Sequence, residues 1–122
     1  MVTMELPVRE RGKFREITVP VDWARAQKAA GLLKALGDPT RLSMALCLWK
    51  AQAPVCICDF TATFNLGQPT ISHHMAKLRA AGLVESRKRG IWIYYRLRDD
   101  LAPATVALLG TLLDAAEGTG RR

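Results

Sequence analysis

The chain has 122 residues, a formal net charge of +7 and a hydrophobic share of 49%, of which only a few residues are aromatic. This length predicts one domain with a single modest core, and the composition favours a small helical fold over a β-sandwich. The positive charge favours a polyanionic partner such as nucleic acid.

The hydropathy and the cysteine content indicate a cytoplasmic protein with no membrane partner. No apolar run reaches the roughly 18 residues of a membrane span, and no signal peptide opens the chain. Three unevenly spaced cysteines do not form a disulfide framework. In a reducing compartment, a Cys-x-Cys segment is typical of metal binding or thiol redox chemistry.

The first 20 residues show no lasting hydrophobic period, and we expect a flexible arm there that is either solvated or in contact with DNA. A helical pattern follows, with Asp22 as the expected N-cap and Gly37 beyond the end. Asp38 and Pro39 predict a capped second helix that runs to about Ala51. That helix is apolar almost all round and is therefore expected to be buried.

The segment Cys56-Ile57-Cys58-Asp59 carries the candidate metal ligands. We expect its start to be extended and Cys58 to cap a short helix. Alternate residues share a face in an extended segment but diverge in a helix, so this junction can turn both sulfurs toward one ion. A helix N-terminus is also expected to lower the pKa of a thiol. Cys47, in the preceding helix, is either a third ligand or a small core residue.

After the short helix at Cys58 and a glycine-containing turn, another helix is predicted from Gln68 to Ala81. The two helices and the turn between them form a helix-turn-helix. Ile71, Met75 and Leu78 form the predicted buried stripe of the second helix of this pair. The residues left near its outer, N-terminal side are the kinds that read bases or bind phosphate. These candidate DNA-binding residues are Gln68, Thr70, Ser72, His73 and Lys77.

Residues 84–97 alternate and are interrupted at Arg89-Gly90, which predicts a two-stranded hairpin. Ile91 is expected to face inward with the other apolar residues of its strand. Arg87, Lys88 and Arg89 crowd the tip and are candidate phosphate contacts. A helix-turn-helix followed by such a hairpin is a winged helix.

A final apolar helix is predicted from Asp99-Asp100 to about Ala116. It exceeds what a small winged helix needs to cover its own core, so we expect a homodimer formed through the first and last helices. The predicted architecture is mainly α, with five main helices and a two-stranded wing. Its boundaries are an arm at 1–20, one domain at 21–117 and a tail at 118–122.

Together these segments resemble the ArsR/SmtB family of dimeric winged-helix repressors, which leave their operators on binding metal ions. The motifs that carry the resemblance are Asp38-Pro39-Thr40-Arg41-Leu42, Cys56-Ile57-Cys58-Asp59-Phe60, Gln68-Pro69-Thr70-Ile71-Ser72-His73-His74 and the hairpin that ends near Arg96. The resemblance implies that Gln68, Ser72 and His73 occupy DNA-contacting positions. Because the dimer is expected to be two-fold symmetric, we expect its operator to be a palindromic DNA duplex.

The Cys-x-Cys-Asp segment is similar to that of the arsenical-resistance repressors, which use three thiolates for As(III) or Sb(III), and to that of the cadmium/lead sensors. The latter add cysteines from the N-terminal arm, and this arm has none. The last helix has no histidine, so the site of the zinc, cobalt and nickel sensors is absent. Thr61 stands where some arsenic repressors place their third cysteine, which leaves Cys47, an outside thiol or hydroxide as third ligand.

The sequence thus predicts a metalloid-responsive repressor whose effector is As(III) or Sb(III), with no organic cofactor. The alternatives are a redox or persulfide switch, or Cd/Pb sensing, at the same cysteines. A protein–protein module is a further alternative. An enzyme is not expected, because the sequence offers no nucleophile paired with a base and no glycine-rich phosphate loop.

Overall fold

A computed structural model describes residues 3–117 and shows the predicted winged helix-turn-helix. Residues 3–20 contain no helix or strand, and the tail expected at 118–122 lies outside the described residues. The elements are α1 (Trp23–Leu36), α2 (Pro39–Ala51), β1 (Val55–Cys56), α3 (Ile57–Phe64), α4 (Gln68–Ala80), β2 (Val84–Arg89), β3 (Trp92–Leu97) and α5 (Pro103–Glu117). No helix in this part of the chain is both long and apolar enough to cross a bilayer.

The two predicted N-caps are confirmed. A carboxylate oxygen of Asp22 accepts from the backbone N–H of Arg25 at 2.8 Å, and one of Asp38 accepts from that of Arg41 at 2.9 Å. Each bond satisfies a donor that the first helical turn would leave unpaired. The bond from Arg41 is also the main reason why the pKa of Asp38 lies below its usual value.

The wing is part of a three-stranded antiparallel sheet in the order β1-β3-β2. The hairpin register pairs Arg89 with Trp92, which leaves Gly90 and Ile91 as a two-residue turn. Gly90 has a φ of +62°, as the first central residue of such a turn requires. Ile91 is 82% exposed, so the prediction that it faces inward is wrong. The turn begins one residue later than the sequence pattern indicated.

The core lies between α2, the helix-turn-helix and the sheet. Met44, Ile71, Met75, Leu78 and Leu83 have no exposed surface. Phe60 of α3 and Leu109 of α5 belong to the same cluster, so the helix that begins at the thiols packs into the centre of the domain. The last helix starts at Pro103 rather than at Asp99. Its far end is held to α2 by an ion pair of 2.6 Å between Lys50 and Glu117.

The end of α4 is fixed by Gly82, which has a φ of +78°. The N–H of Gly82 donates to the carbonyl of Arg79 at 2.9 Å and that of Leu83 to the carbonyl of Leu78 at 3.0 Å. This is a Schellman motif, in which glycine is favoured because other residues are strained at positive φ.

A Gly82→Ala variant is therefore expected to lose about 1 kcal/mol of unfolding free energy, from strain alone, since no neighbouring atom would contact the new Cβ. Urea denaturation measures the loss. Gly82→Asn is the matched control, because asparagine adopts this conformation more readily and should lose less. Equal losses for the two variants would contradict the explanation.

Candidate thiol site and DNA-binding surface

The structure brings the two sulfurs of the Cys-x-Cys segment together. Cys56 is the last residue of β1 and the N-cap of α3, and Cys58 is the second residue of that helix. Their Sγ atoms lie 2.7 Å apart. The predicted cap was wrong by two residues, since α3 begins at Ile57 rather than after Cys58. The expected convergence of the sulfurs at a strand–helix junction is nevertheless what the structure shows.

The pKa of Cys58 is raised, so the expectation that the helix N-terminus lowers it is wrong. The hydrogen bond with Cys56 raises the pKa of Cys58, and partial burial and the negative charges of Cys56 and Asp59 act in the same direction. Two adjacent thiols resist carrying two negative charges. This effect raises the pKa of Cys58 by more than the helix N-terminus lowers it. A ligand that binds Cys58 as a thiolate must therefore displace its proton.

The surroundings of the pair leave one side open. Cys56 is buried, while Cys58 is exposed. The hydroxyl of Thr61 donates to the carbonyl of Cys58 at 2.8 Å, which places position 61 one turn further along the same face. Cys47 lies at an exposed position on α2, and shielding by its neighbours raises the pKa of its thiol. Within residues 3–117, no group of three or more His, Cys, Asp or Glu side chains is arranged to hold a metal ion.

Helix α4 presents the predicted polar residues away from the core. Its inner face consists of Ile71, Met75 and Leu78, which are fully buried. The candidate residues lie on the remaining faces: Gln68, Thr70, His73 and Lys77 are exposed and Ser72 is half-buried. The preceding turn includes Asn65, whose φ of 54° lies in the left-handed region. The helix-turn-helix thus leaves one helix free to enter a groove.

The tip of the wing is basic and exposed. Arg87, Lys88 and Arg89 all point into solvent, and none forms an ion pair with the residues that the structure describes. Further along the sheet, Arg96 is paired with Glu85 at 2.8 Å. The tip charges are therefore not neutralised internally, unlike the charge at the base of the wing.

Comparison with known proteins gives a family. Residues 38–86 match the family described as "Bacterial regulatory protein, arsR family". The biofilm growth-associated repressor of Agrobacterium fabrum is 36% identical over 117 residues, which cover 96% of this chain and 97% of that protein. The chain belongs to the ArsR family. It is a DNA-binding transcriptional repressor with a winged helix, as the resemblance implied, and not an enzyme.

This ArsR-family chain is also similar to two further transcriptional regulators. An arsenic resistance transcriptional regulator of Pseudomonas putida is 38% identical over 104 residues, which cover 85% of this chain and 73% of that protein. The crystal structure of the transcriptional repressor BigR from Xylella fastidiosa superposes with a TM-score of 0.62 at 30% identity. The match covers 81% of this chain and 93% of that one.

Two features of this ArsR-family structure were not predicted from the sequence. The first is that β1 pairs with the wing, which aligns Cys56 with Tyr94 and Tyr94 with Arg87 across three strands. At one strand spacing per step, the backbone of Cys56 lies about 10 Å from that of Arg87. The thiol segment and the basic tip therefore belong to one sheet.

The second is a hydrogen bond between α4, the second helix of the helix-turn-helix (the recognition helix), and the wing. The guanidinium of Arg79, at the end of α4, donates to the hydroxyl of Ser86 on β2 at 3.2 Å. The bond joins α4 to the first strand of the wing in this ArsR-family domain. Arg79 was not singled out from the sequence, because its partner depends on where the hairpin folds back.

Proposed function

We propose that this repressor binds a palindromic operator as a homodimer and that As(III) or Sb(III), bound at Cys56 and Cys58, releases it. The observation that carries the proposal is the position of the paired sulfurs, at a junction whose strand is hydrogen-bonded to the wing and whose helix packs under α4. Effector binding and DNA binding then act on the same elements. The protein is proposed to act in the cytoplasm.

Helix α4 enters the major groove in this proposal, and the wing binds the backbone beside it. Bases are read from the N-terminal half of the helix, where glutamine can bond adenine with two hydrogen bonds. Phosphates are bound by Lys77 of the helix and by the three basic residues of the wing tip. The proposed DNA contacts are Gln68, Thr70, Ser72, His73, Lys77, Arg87, Lys88 and Arg89.

The donor set favours a soft, thiophilic ion. Cys56 and Cys58 supply two sulfur donors, and the structure supports no complete histidine–carboxylate site among residues 3–117. When bound, the metalloid supplies a covalent link between the two thiolates. The third donor is a small thiol or hydroxide from solution, with Cys47 as the alternative from this chain.

Two contacts couple the thiols to the elements proposed to bind DNA. Cys56 is paired with Tyr94 of β3, so a rotation of its backbone moves the strand that carries the wing. Phe60, one turn into α3, is buried in the cluster that includes Ile71 and Met75 of α4. Coupling of this kind is typically worth about 1–3 kcal/mol, or 5- to 150-fold in affinity.

The exposed faces of α1 and α5 support the homodimer. Only Ala35 and Leu36 are buried in α1, and only Leu109 is buried in α5. Trp23 is 77% exposed and Leu33 59% exposed. Apolar surface of this kind indicates a partner, and a second copy covers both helices by one two-fold contact. Sedimentation equilibrium is expected to give twice the chain mass of 13.5 kDa.

The test is a release experiment on a duplex selected from a random library by the protein itself. Fluorescence anisotropy at fixed salt measures the apparent Kd with arsenite, antimonite, Cd²⁺ or Zn²⁺, and separately with peroxide or a persulfide donor. Arsenite and antimonite are expected to raise it about 10- to 100-fold, and zinc to leave it unchanged. Release by peroxide or persulfide but not by arsenite would favour the thiol redox switch, and release by Cd²⁺ alone would favour a cadmium sensor.

A further inference from the structure

Arg41 joins three helices through one side chain. It belongs to α2, where its backbone N–H is bound by the cap residue Asp38. Its guanidinium donates to the carbonyls of Ala35 at 2.5 Å and Lys34 at 3.4 Å, both in the last turn of α1. A third nitrogen, Nη1, lies 3.3 Å from Nδ1 of His74 on α4. The residue therefore connects the end of α1 directly to the recognition helix.

The chemistry of these contacts assigns a role to each partner. A guanidinium only donates hydrogen bonds, so Nδ1 of His74 is the acceptor when this hydrogen bond forms. The last carbonyls of a helix lack the partner four residues on that earlier carbonyls have; that of Lys34 accepts from the backbone N–H of Gly37 at 3.2 Å as well as from Arg41. A positive charge there also complements the negative end of the helix dipole. A lysine at position 41 has one nitrogen and cannot keep this fork of contacts.

The rest of α1 has little else that fixes its direction. Its buried residues, Ala35 and Leu36, lie in the turn that Arg41 contacts. Leu32, one turn earlier, is partly buried against the core, and residues 23–31 are almost entirely exposed. The angle between α1 and α4 is therefore determined mainly near Arg41. In a dimer formed through α1, that angle also determines how far apart the two recognition helices lie.

We infer that the Arg41–His74 contact is a positioning device that sets the operator spacing the dimer accepts. The inference rests on the proposed dimer. Half-sites bound by helix-turn-helix dimers lie about one helical turn apart, roughly 10 base pairs, so a small rotation of α4 against α1 changes the fit to DNA. Neither residue needs to contact a base for this effect.

The experiment compares a selected palindromic duplex with versions that carry one base pair more or less at the centre, and with an isolated half-site. Wild type is expected to prefer the selected spacing about tenfold. Arg41→Lys and His74→Leu should reduce this preference to less than about threefold while leaving half-site affinity unchanged. His74→Asn should keep it, because the amide oxygen can accept where Nδ1 does.

Arg98→Lys is the control for the arginine change. It loses a two-bond pair with Asp100, of 2.8 and 2.7 Å, whose hydrogen bonds join two residues outside α1 and α4, and it should keep the spacing preference. Circular dichroism melts accompany each variant. If Arg41→Lys or His74→Leu does not fold, His74→Asn decides, since its loss of preference would overturn the acceptor role.

Wild-type preference retained in both Arg41→Lys and His74→Leu would overturn the inference and leave the dimer intact. A uniform loss across all duplexes, half-site included, would overturn it as well, because it would show a role in stability rather than in spacing. A wild-type protein with no spacing preference would overturn the proposed dimer, and this inference with it.

Discussion

A Cys58→Ser variant is expected to bind operator DNA as the wild type does and to lose its response to arsenite. Cys58 is exposed at the start of α3, so the change should cost little stability. Serine replaces one of the two sulfur donors with a poor ligand for a thiophilic ion. The arsenite-induced change in apparent Kd should fall from at least about tenfold to less than about twofold, as measured by anisotropy on the selected duplex.

Two companion variants sharpen this result. Thr61→Cys adds a sulfur one turn beyond Cys58 on the same face, and it should lower the arsenite concentration for half-release by about tenfold or more. Cys47→Ser should respond like wild type if the third donor comes from solution. A loss equal to that of Cys58→Ser would make Cys47 the third ligand. An unchanged response in Cys58→Ser would remove the thiol pair as the sensor.

A variant with glutamine in place of Arg87, Lys88 and Arg89 is expected to bind the operator about 100-fold more weakly near 0.1 M salt. The three side chains are exposed and form no ion pair within residues 3–117, so the fold should be unchanged. Each lost phosphate contact should also reduce the slope of log affinity against log salt by about 0.9. Titrations at four or five salt concentrations measure both quantities.

The matched control neutralises Arg9, Arg11 and Arg15 in the N-terminal arm. It removes the same number of charges from exposed residues that lie in no helix or strand. A much smaller loss is expected if the arm is solvated. If both triple variants lose the same affinity, binding follows net charge rather than the wing, and the proposed phosphate contacts are wrong.

Local chemistry explains what the sequence could predict. Asp22 and Asp38 cap their helices through bonds to residues three positions away, so a short segment contains all the information. The buried stripe of α4 likewise follows from helical spacing alone. The family resemblance added the role of repressor and the likeness of the thiol segment to metalloid sites.

Long-range pairing explains which features the sequence could not predict. The start of α3 depends on how far β1 pairs with β3, across about forty residues of sequence, and this moved the cap from Cys58 to Cys56. The contact between Arg41 and His74 spans 33 positions. Arg41 was visible as part of a motif, but no local pattern reveals the acceptor of a side chain on another helix.

The short strand β1 also limits how large the allosteric movement can be. It covers the edge of β3 at Tyr94 and Tyr95, whose backbone groups would otherwise form an open edge able to pair with another molecule. The far edge, β2, is protected by its own charged side chains. A signal that detached β1 would end repression but would also expose an edge that is prone to aggregation. The structure therefore favours a response in which the strand tilts while its hydrogen bonds persist.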